Sequence, residues 1–194
     1  MSRQFWSETL AWAVADGTAF SNTATETILF PNVTIPANYI ADGRVLRLRA
    51  FGRYGNVVTA VPTLTFALRW GGVGGTVIAQ SPAIVVSPTA ITSGPWDLEL
   101  IVQCRANGSA GSVFVMGNAR LYTGVAPKLN TTTGETSAAD LGLVASMNST
   151  GTTIPAAVTV DLTADTALSL TGKWGTANAS NTIQGHVYTI ESLN

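Results

Sequence analysis

Alternation of apolar and polar side chains with a period of two residues is the dominant pattern of this chain. The stretch 44–54 reads RVLRLRAFGRY, and from 46 to 53 its even positions are Leu, Leu, Ala and Gly, whereas its odd positions are Arg, Arg, Phe and Arg. The same period continues in TLTFALRW at 63–70, WDLELIVQCR at 96–105 and VFVMGNARLY at 113–122. Successive side chains of a strand point to opposite faces, so the pattern predicts antiparallel strands with one buried face. No stretch shows a convincing helical period.

Turn residues separate these stretches at Asp42-Gly43, Gly71-Gly72, Ser93-Gly94-Pro95 and Asn107-Gly108. Many short strands spaced by roughly ten residues, joined by turns rich in Gly and Pro, are typical of sandwiches and barrels. We therefore predict an all-β fold, an antiparallel jelly-roll-like β-sandwich. Weaker alternation predicts further strands at about 26–35, 76–86, 156–162, 166–171 and 182–191.

The domain organisation follows from where the alternation stops. Residues 124–155 are small, polar and aperiodic, which predicts a long loop or insertion. A second domain after this loop is the alternative, but 156–194 hold too few strands to build a core alone. We therefore predict a single domain over 23–194, preceded by an N-terminal arm at 1–22.

Large aromatic residues lie in the first part of the predicted arm, at Phe5, Trp6 and Trp12. Aromatic side chains seldom remain in water, because each removes a large apolar surface from it when buried. Either the arm folds back on the core as a first strand, or these residues anchor it on another chain. Both hypotheses remain open from the sequence.

The chain carries little charge for a soluble monomer. Only 11% of its residues are charged, 46% are hydrophobic, and the formal net charge is −1. So few charges do little to keep copies of a protein apart, which favours assembly. A slightly acidic chain also lacks the net basic field of a nucleic-acid-binding protein. No window approaches the roughly 20 apolar residues of a membrane span. We expect neither nucleic acid nor membrane as a partner.

Eight of the ten basic residues are arginines, which are preferred over lysine where planar pairing or stacking occurs, including at interfaces. A nucleic-acid surface, a solvated sheet face with cross-strand ion pairs, and a subunit interface are the three interpretations. Apolar neighbours at Phe51, Ile101, Phe114 and Met116 favour the interface slightly. Strand parity places six arginines opposite the core: Arg47, Arg49, Arg53, Arg69, Arg105 and Arg120.

Groups suited to catalysis are sparse. His186 is the one histidine, and no GxSxG motif accompanies it, so we expect a structural role. Asp97 and Glu99 share one strand face about 7 Å apart, a spacing between the two carboxylate separations of glycosidases. Acidic residues beside arginines on a strand are more typical of charge partners. We predict that the protein is not an enzyme; a hydrolase would need a second catalytic group near His186.

Cofactor and metal sites are not predicted either. Asp161 and Asp165 lack an EF-hand pattern, and we expect them to cap turns. The glycines of 71–75 lack the lysine and helix of a phosphate loop. Cys104 is the single cysteine, so it cannot form an internal disulfide, and we expect a small buried side chain.

Four stretches together resemble the all-β structural proteins of tailed bacteriophages: FPNVTIPANYIADGRVLRLRAFGRYGN, TLTFALRWGGVGGTVIA, GPWDLELIVQCRANGSAGSVFVMGNARLY and VTVDLTADTALSLTGKWGTANASNTIQGHVYTIESLN. The resemblance covers most of the chain outside 124–155 and rests on strands and turns, without a motif that assigns site residues. It implies a capsid decoration or cement protein, or a head-fibre protein. Such a protein would be a homotrimer on the capsid surface of the virion, bound to the major capsid protein or another virion protein.

The alternative function is a carbohydrate- or receptor-binding module of a phage tail or head fibre. Such modules stack sugars on exposed aromatic rings, and strand parity places Trp70 and Trp96 inside the core. Trp174 lies in the loop-like GKWGTANASN, so it is the residue predicted to contact a ligand.

Overall fold

The computed structural model describes residues 7–57, 62–86, 90–122, 143–149 and 154–193. Every regular element in these ranges is a β-strand, and all paired strands are antiparallel. The strands are β1 (Glu8–Trp12), β2 (Phe20–Ser21), β3 (Thr27–Ile28), β4 (Val33–Ile35), β5 (Val45–Asn56), β6 (Thr63–Trp70), β7 (Thr76–Gln80), β8 (Ile84–Val85), β9 (Ile91–Ala106), β10 (Gly111–Leu121), β11 (Leu143–Asn148), β12 (Val158–Val160), β13 (Thr166–Trp174) and β14 (Thr182–Ser192).

The strand order is that of a jelly roll. One layer has the order β1-β14-β5-β9, and the other has the order β3-β13-β6-β7. In both layers a strand from the end of the chain lies between strands from its beginning, as two interlocked Greek keys require. The layers share one apolar core, in which the rings of Phe66 and Trp96 are 5.1 Å apart. The predicted fold class is confirmed.

The chain between β9 and β13 forms three strands, β10, β11 and β12, in addition to those of the jelly roll. They extend the first layer beyond β9, and Asn148 of β11 pairs with Gln80 of β7, so the ladder continues into the second layer. The segment 124–155, predicted as a long loop or insertion, therefore contains a strand at 143–148 that the sequence analysis did not predict. Ala145 and Met147 are buried there, but the run LVASMN is too short for its alternation to be recognised. Residues 123–142 lie outside the described ranges.

The predicted N-terminal arm contributes two strands to the first layer. Strand β1 pairs with β14 from Glu8 opposite Ser192 to Trp12 opposite Thr189, and β2 pairs with the other end of β14. The sequence does not alternate cleanly here, because the register shifts between Thr9 and Ala11. Of the two hypotheses for the arm, the first strand is correct for 8–12; Phe5 and Trp6 lie outside the described residues.

Parity within the long strands agrees with the prediction. The even positions 46–56 of β5 and 94–104 of β9 are buried, including Leu48 and Leu100, whereas the arginines and acids of these strands point outward. The predicted turn at 93–95 is wrong, because these residues continue β9, where the carbonyl of Pro95 accepts a hydrogen bond from Tyr122. Glycine is required at Gly117, where an added Cβ would lie 1.9 Å from the carbonyl oxygen of Glu99.

Candidate functional site

The outward-pointing side chains of β14, β5, β9, β10 and β11 form one broad surface, which we call the outer face. Directly opposed residues of antiparallel strands point to the same side, so the registers define rows across the sheet. The rows are Val187–Phe51–Asp97–Arg120–Val144, then Thr189–Arg49–Glu99–Asn118–Ser146, and then Glu191–Arg47–Ile101–Met116.

Ion pairs neutralise charges within these rows. Arg47 donates from Nε and Nη2 to one carboxylate oxygen of Glu191, at 2.8 and 2.7 Å. Arg49 lies 3.3 Å from Glu99, the acid directly opposite it. Asp97 lies opposite Arg120, whose pKa is raised by a hydrogen bond with Tyr122 and by the charge of Asp97. Asp97 and Glu99 thus each face an arginine across the sheet, as charge partners do.

Exposed apolar side chains lie between the ion pairs. Phe51 is 45% exposed, and Trp12, which pairs with Thr189 at the margin of the outer face, is 62% exposed. Arginine mixed with aromatic and aliphatic residues, without lysine, is the composition of the centres of protein interfaces. The other exposed apolar residues of the face are Ile101, Met116, Val144 and Val187.

The six predicted arginines do not form a single surface. Five of them point outward from β5, β9 and β10 and so belong to the outer face (Arg47, Arg49, Arg53, Arg105 and Arg120), whereas Arg69 lies on β6 in the second layer. The guanidinium of Arg105 stacks on the ring of Phe114, 3.9 Å from the ring centroid, and the Phe114 side chain is half-buried. Arg53 borders a cleft of about 210 Å³ that also contains His186. Sequence parity places an arginine outside the core but cannot say in which layer it lies.

The predicted ligand residue Trp174 is buried, with 0% of its surface exposed. It is the last residue of β13 and has the inward parity of Leu168 and Leu170; its glycine neighbours made the segment resemble a loop. The prediction that its ring is available to a ligand is wrong. Trp70 and Trp96 face inward as predicted and donate to the carbonyls of Asp161 and Gln184.

His186 joins the N-terminal segment to β14. Its Nδ1 lies 2.8 Å from Oδ1 of Asp16, next to the hydrogen bond from the Gly17 amide to the Gly185 carbonyl. The other ring nitrogen, Nε2, is buried and has no hydrogen-bond partner among the described residues. Ser93 borders the same cleft but does not bond to the imidazole. The contact with Asp16 thus ties the N-terminal segment to β14, which is the kind of structural role expected of His186.

Asp161 and Asp165 cap turns, as expected. Oδ1 of Asp161 accepts from the hydroxyl and the amide of Thr163, and these hydrogen bonds lower the pKa of the carboxyl group. Asp165 accepts from the amide of Ala37 at 2.8 Å. Within the described ranges, no three His, Cys, Asp or Glu side chains come together as metal ligands. The same ranges contain no helix with the length and apolarity to cross a bilayer.

A polar network that the sequence analysis did not single out lies on the outer side of the second layer. Glu26 accepts two hydrogen bonds from Arg69, at 2.5 and 2.6 Å, and one from the hydroxyl of Thr171 at 2.5 Å. Burial raises the pKa of Glu26, but these hydrogen bonds, together with the charges of Arg69 and Lys173, outweigh burial and lower the pKa overall. Glu26 is separated from its partners by 43 and 145 residues, so no local pattern indicates the contact.

Comparisons with known proteins give little support for any assignment. No family model matches the chain, and no curated protein matches it. Among solved structures, the chain is similar to the CBM2 module of the evolved Dit of Lactobacillus casei BL23 phage J-1, with a TM-score of 0.37 and 10% identity over 99% of each chain. Similarity at this level establishes neither a common fold nor a common ligand.

Proposed function

We propose that the protein is a non-catalytic structural component of a virion that self-associates through the outer face and stabilises the capsid shell as a decoration or cement protein. A homotrimer is the assembly we expect, with the major capsid protein or another virion protein as the further partner. The observation that carries the proposal is the continuity of the outer face, where apolar side chains and paired arginines alternate across five strands.

The energetics of this surface favour contact with another protein. Fully burying a side chain such as Phe or Met contributes about 1.5–3 kcal/mol, and half-exposed residues retain part of that gain. Trp12 and Phe51 are the aromatic anchors on which such contacts depend most. Because Arg47 and Arg49 already have acidic partners, covering the face leaves neither charge buried and unpaired.

The low charge of the chain and its resemblance to phage structural proteins support a place on a virion. Symmetric copies on a shell repeat each weak contact many times, so attachment is strong even where one contact is weak. The jelly-roll fold itself is compatible with many functions, so the proposal depends on the outer face and not on the fold.

Substitution of Phe51 tests the proposal. Phe51→Glu places a negative charge at the centre of the outer face and should lower the mass of the purified protein in light scattering. The matched control is Val85→Glu, which changes an exposed apolar residue of β8 in the second layer and should leave the mass unchanged. Arg47→Glu, which breaks the pair with Glu191, should act like Phe51→Glu. If both outer-face variants keep the mass of the wild type, the outer face is not the subunit interface.

The alternative function, a carbohydrate- or receptor-binding module, loses its predicted contact with the burial of Trp174. A different site supports this alternative: Glu26, Arg69 and other polar residues line a cleft in the second layer. The two functions use opposite sides of the sandwich, so they do not exclude each other.

A further inference from the structure

A cleft of about 330 Å³ lies on the outer side of the second layer; we call it the second-layer cleft. Its base is Ala67 of β6, a small side chain that is almost fully buried. The residues opposite Ala67 in the ladder are Gln80 on β7 and Thr171 on β13. A small residue between longer neighbours makes the sheet surface concave here, and the volume is at the lower end of the roughly 300–1,000 Å³ typical of ligand pockets.

The two ends of the second-layer cleft carry different polar groups. At one end the Glu26–Arg69 pair is held rigidly, because Arg69 also donates to the carbonyl of Gly75 at 2.7 Å. At the other end Lys173 of β13 lies directly opposite Thr65 of β6, and both border the cleft. A ligand in the cleft would therefore meet a fixed planar ion pair on one side and an ammonium group with a hydroxyl on the other.

The charges of the cleft select the ligand. Three of the described lining residues are charged, and Arg69 neutralises Glu26 through two hydrogen bonds. Lys173 is exposed and its charge also acts on Glu26, so the two cations and one acid among the described lining residues leave one net positive charge. A single ammonium surrounded by hydroxyl and amide groups suits one carboxylate on a polyhydroxylated ligand. A phosphate would call for several cationic or backbone N–H donors around it.

We propose that the second-layer cleft binds a sugar unit bearing a carboxylate, of the uronic acid class. The carboxylate contacts Lys173, and the sugar hydroxyls exchange hydrogen bonds with Thr65, Gln80 and the Glu26–Arg69 pair. None of the described residues that line the cleft is aromatic, so the recognition we infer depends on charge and hydrogen bonds. The inference goes beyond the proposed assembly, because the outer face lies on the other layer and contributes none of these residues.

Titration of the full chain with methyl glucuronoside, followed by NMR of the labelled protein, tests this inference. Glucuronoside should bind saturably, methyl glucoside at least about fivefold more weakly, and acetate without saturation, since the site needs both carboxylate and hydroxyls. Lys173→Gln should weaken glucuronoside binding to the level of glucoside. Arg53→Gln, an exposed cation of the first layer, is the matched control and should change nothing.

Several results would overturn the inference: no saturable binding of glucuronoside, equal binding of glucoside, equal binding of acetate, or equal weakening by Arg53→Gln. Phe51→Glu separates this inference from the proposed function, because it should lower the mass of the assembly and leave glucuronoside binding unchanged. A failure of sugar binding with a normal response of the mass to Phe51→Glu would remove the cleft proposal alone.

Discussion

Replacing Glu26 by Gln should destabilise the fold in a way that depends on pH. The substitution preserves the shape of the side chain and removes its charge from the network with Arg69 and Thr171. The wild-type carboxylate accepts three hydrogen bonds. The side chains of Glu26 and Arg69 are only 19% and 20% exposed, so water compensates poorly for the lost ion pair.

The free energy of unfolding that Glu26→Gln removes should lie between two known limits. Breaking a fully buried ion pair costs about 3–5 kcal/mol, and breaking an exposed one costs about 0–1 kcal/mol. Glu26 and Arg69 keep some contact with water, and the Gln carbonyl still accepts a hydrogen bond, so we expect about 1–3 kcal/mol. For a chain of this size each kcal/mol lowers the melting temperature by about 2–4 °C.

The pH dependence follows from the lowered pKa of Glu26 in the folded state. A carboxyl group with a depressed pKa contributes stability above its unfolded pKa of about 4.3, and this contribution is lost as pH falls through the folded pKa. The difference in unfolding free energy between wild type and Glu26→Gln should therefore be largest near neutral pH and should shrink in acid.

Urea unfolding monitored by tryptophan fluorescence, at about pH 7 and about pH 3, measures this difference. The control is Asp165→Asn, which alters an exposed carboxylate with one hydrogen bond, to the amide of Ala37, and should cost less than about 1 kcal/mol. Equal costs for the two variants, or a cost of Glu26→Gln that does not change with pH, would refute the reasoning.

Three further predictions concern the core. Gly117→Ala should lower the free energy of unfolding by at least about 2 kcal/mol, because its Cβ would meet the Glu99 backbone. The control Gly74→Ala has open space around it and should lower the free energy by less than about 0.5 kcal/mol, so similar melting temperatures of the two variants would contradict this prediction. Burial raises the pKa of Cys104, so a thiol reagent should label it only after unfolding, and rapid native labelling would show the strand open. Burial raises the pKa of Tyr54 to about 12, so wild type and Tyr54→Phe should have the same phenolate absorbance near pH 10, and an extra wild-type signal there would disprove it.

The long strands could be predicted from the sequence because one of their faces is buried. Alternation then repeats over enough residues to define both the strand and its parity, as it does from Leu46 to Tyr54 in β5. A shift by one residue would turn this apolar set to solvent, so pattern and register determine each other. The jelly-roll class followed from the number of such strands and their spacing.

Short or bulged strands and long-range contacts could not be predicted in the same way. Strand β11 has six residues, and β1 is interrupted at Leu10, so neither shows a sustained period. Trp174 lies at a strand end between glycines, where composition suggested a loop although parity pointed inward. The Glu26–Arg69 pair depends on the strand order within the second layer, where β13 lies between β3 and β6, and a local pattern does not contain this order.

The mass of the unmodified chain in sedimentation equilibrium tests the central claim most directly. If the outer face is covered by copies of the same chain, the protein should sediment as a defined oligomer at micromolar concentration. For the expected trimer the mass is about three times the 20.1 kDa of one chain. A mass of one chain that stays constant as concentration rises would contradict self-association through the outer face.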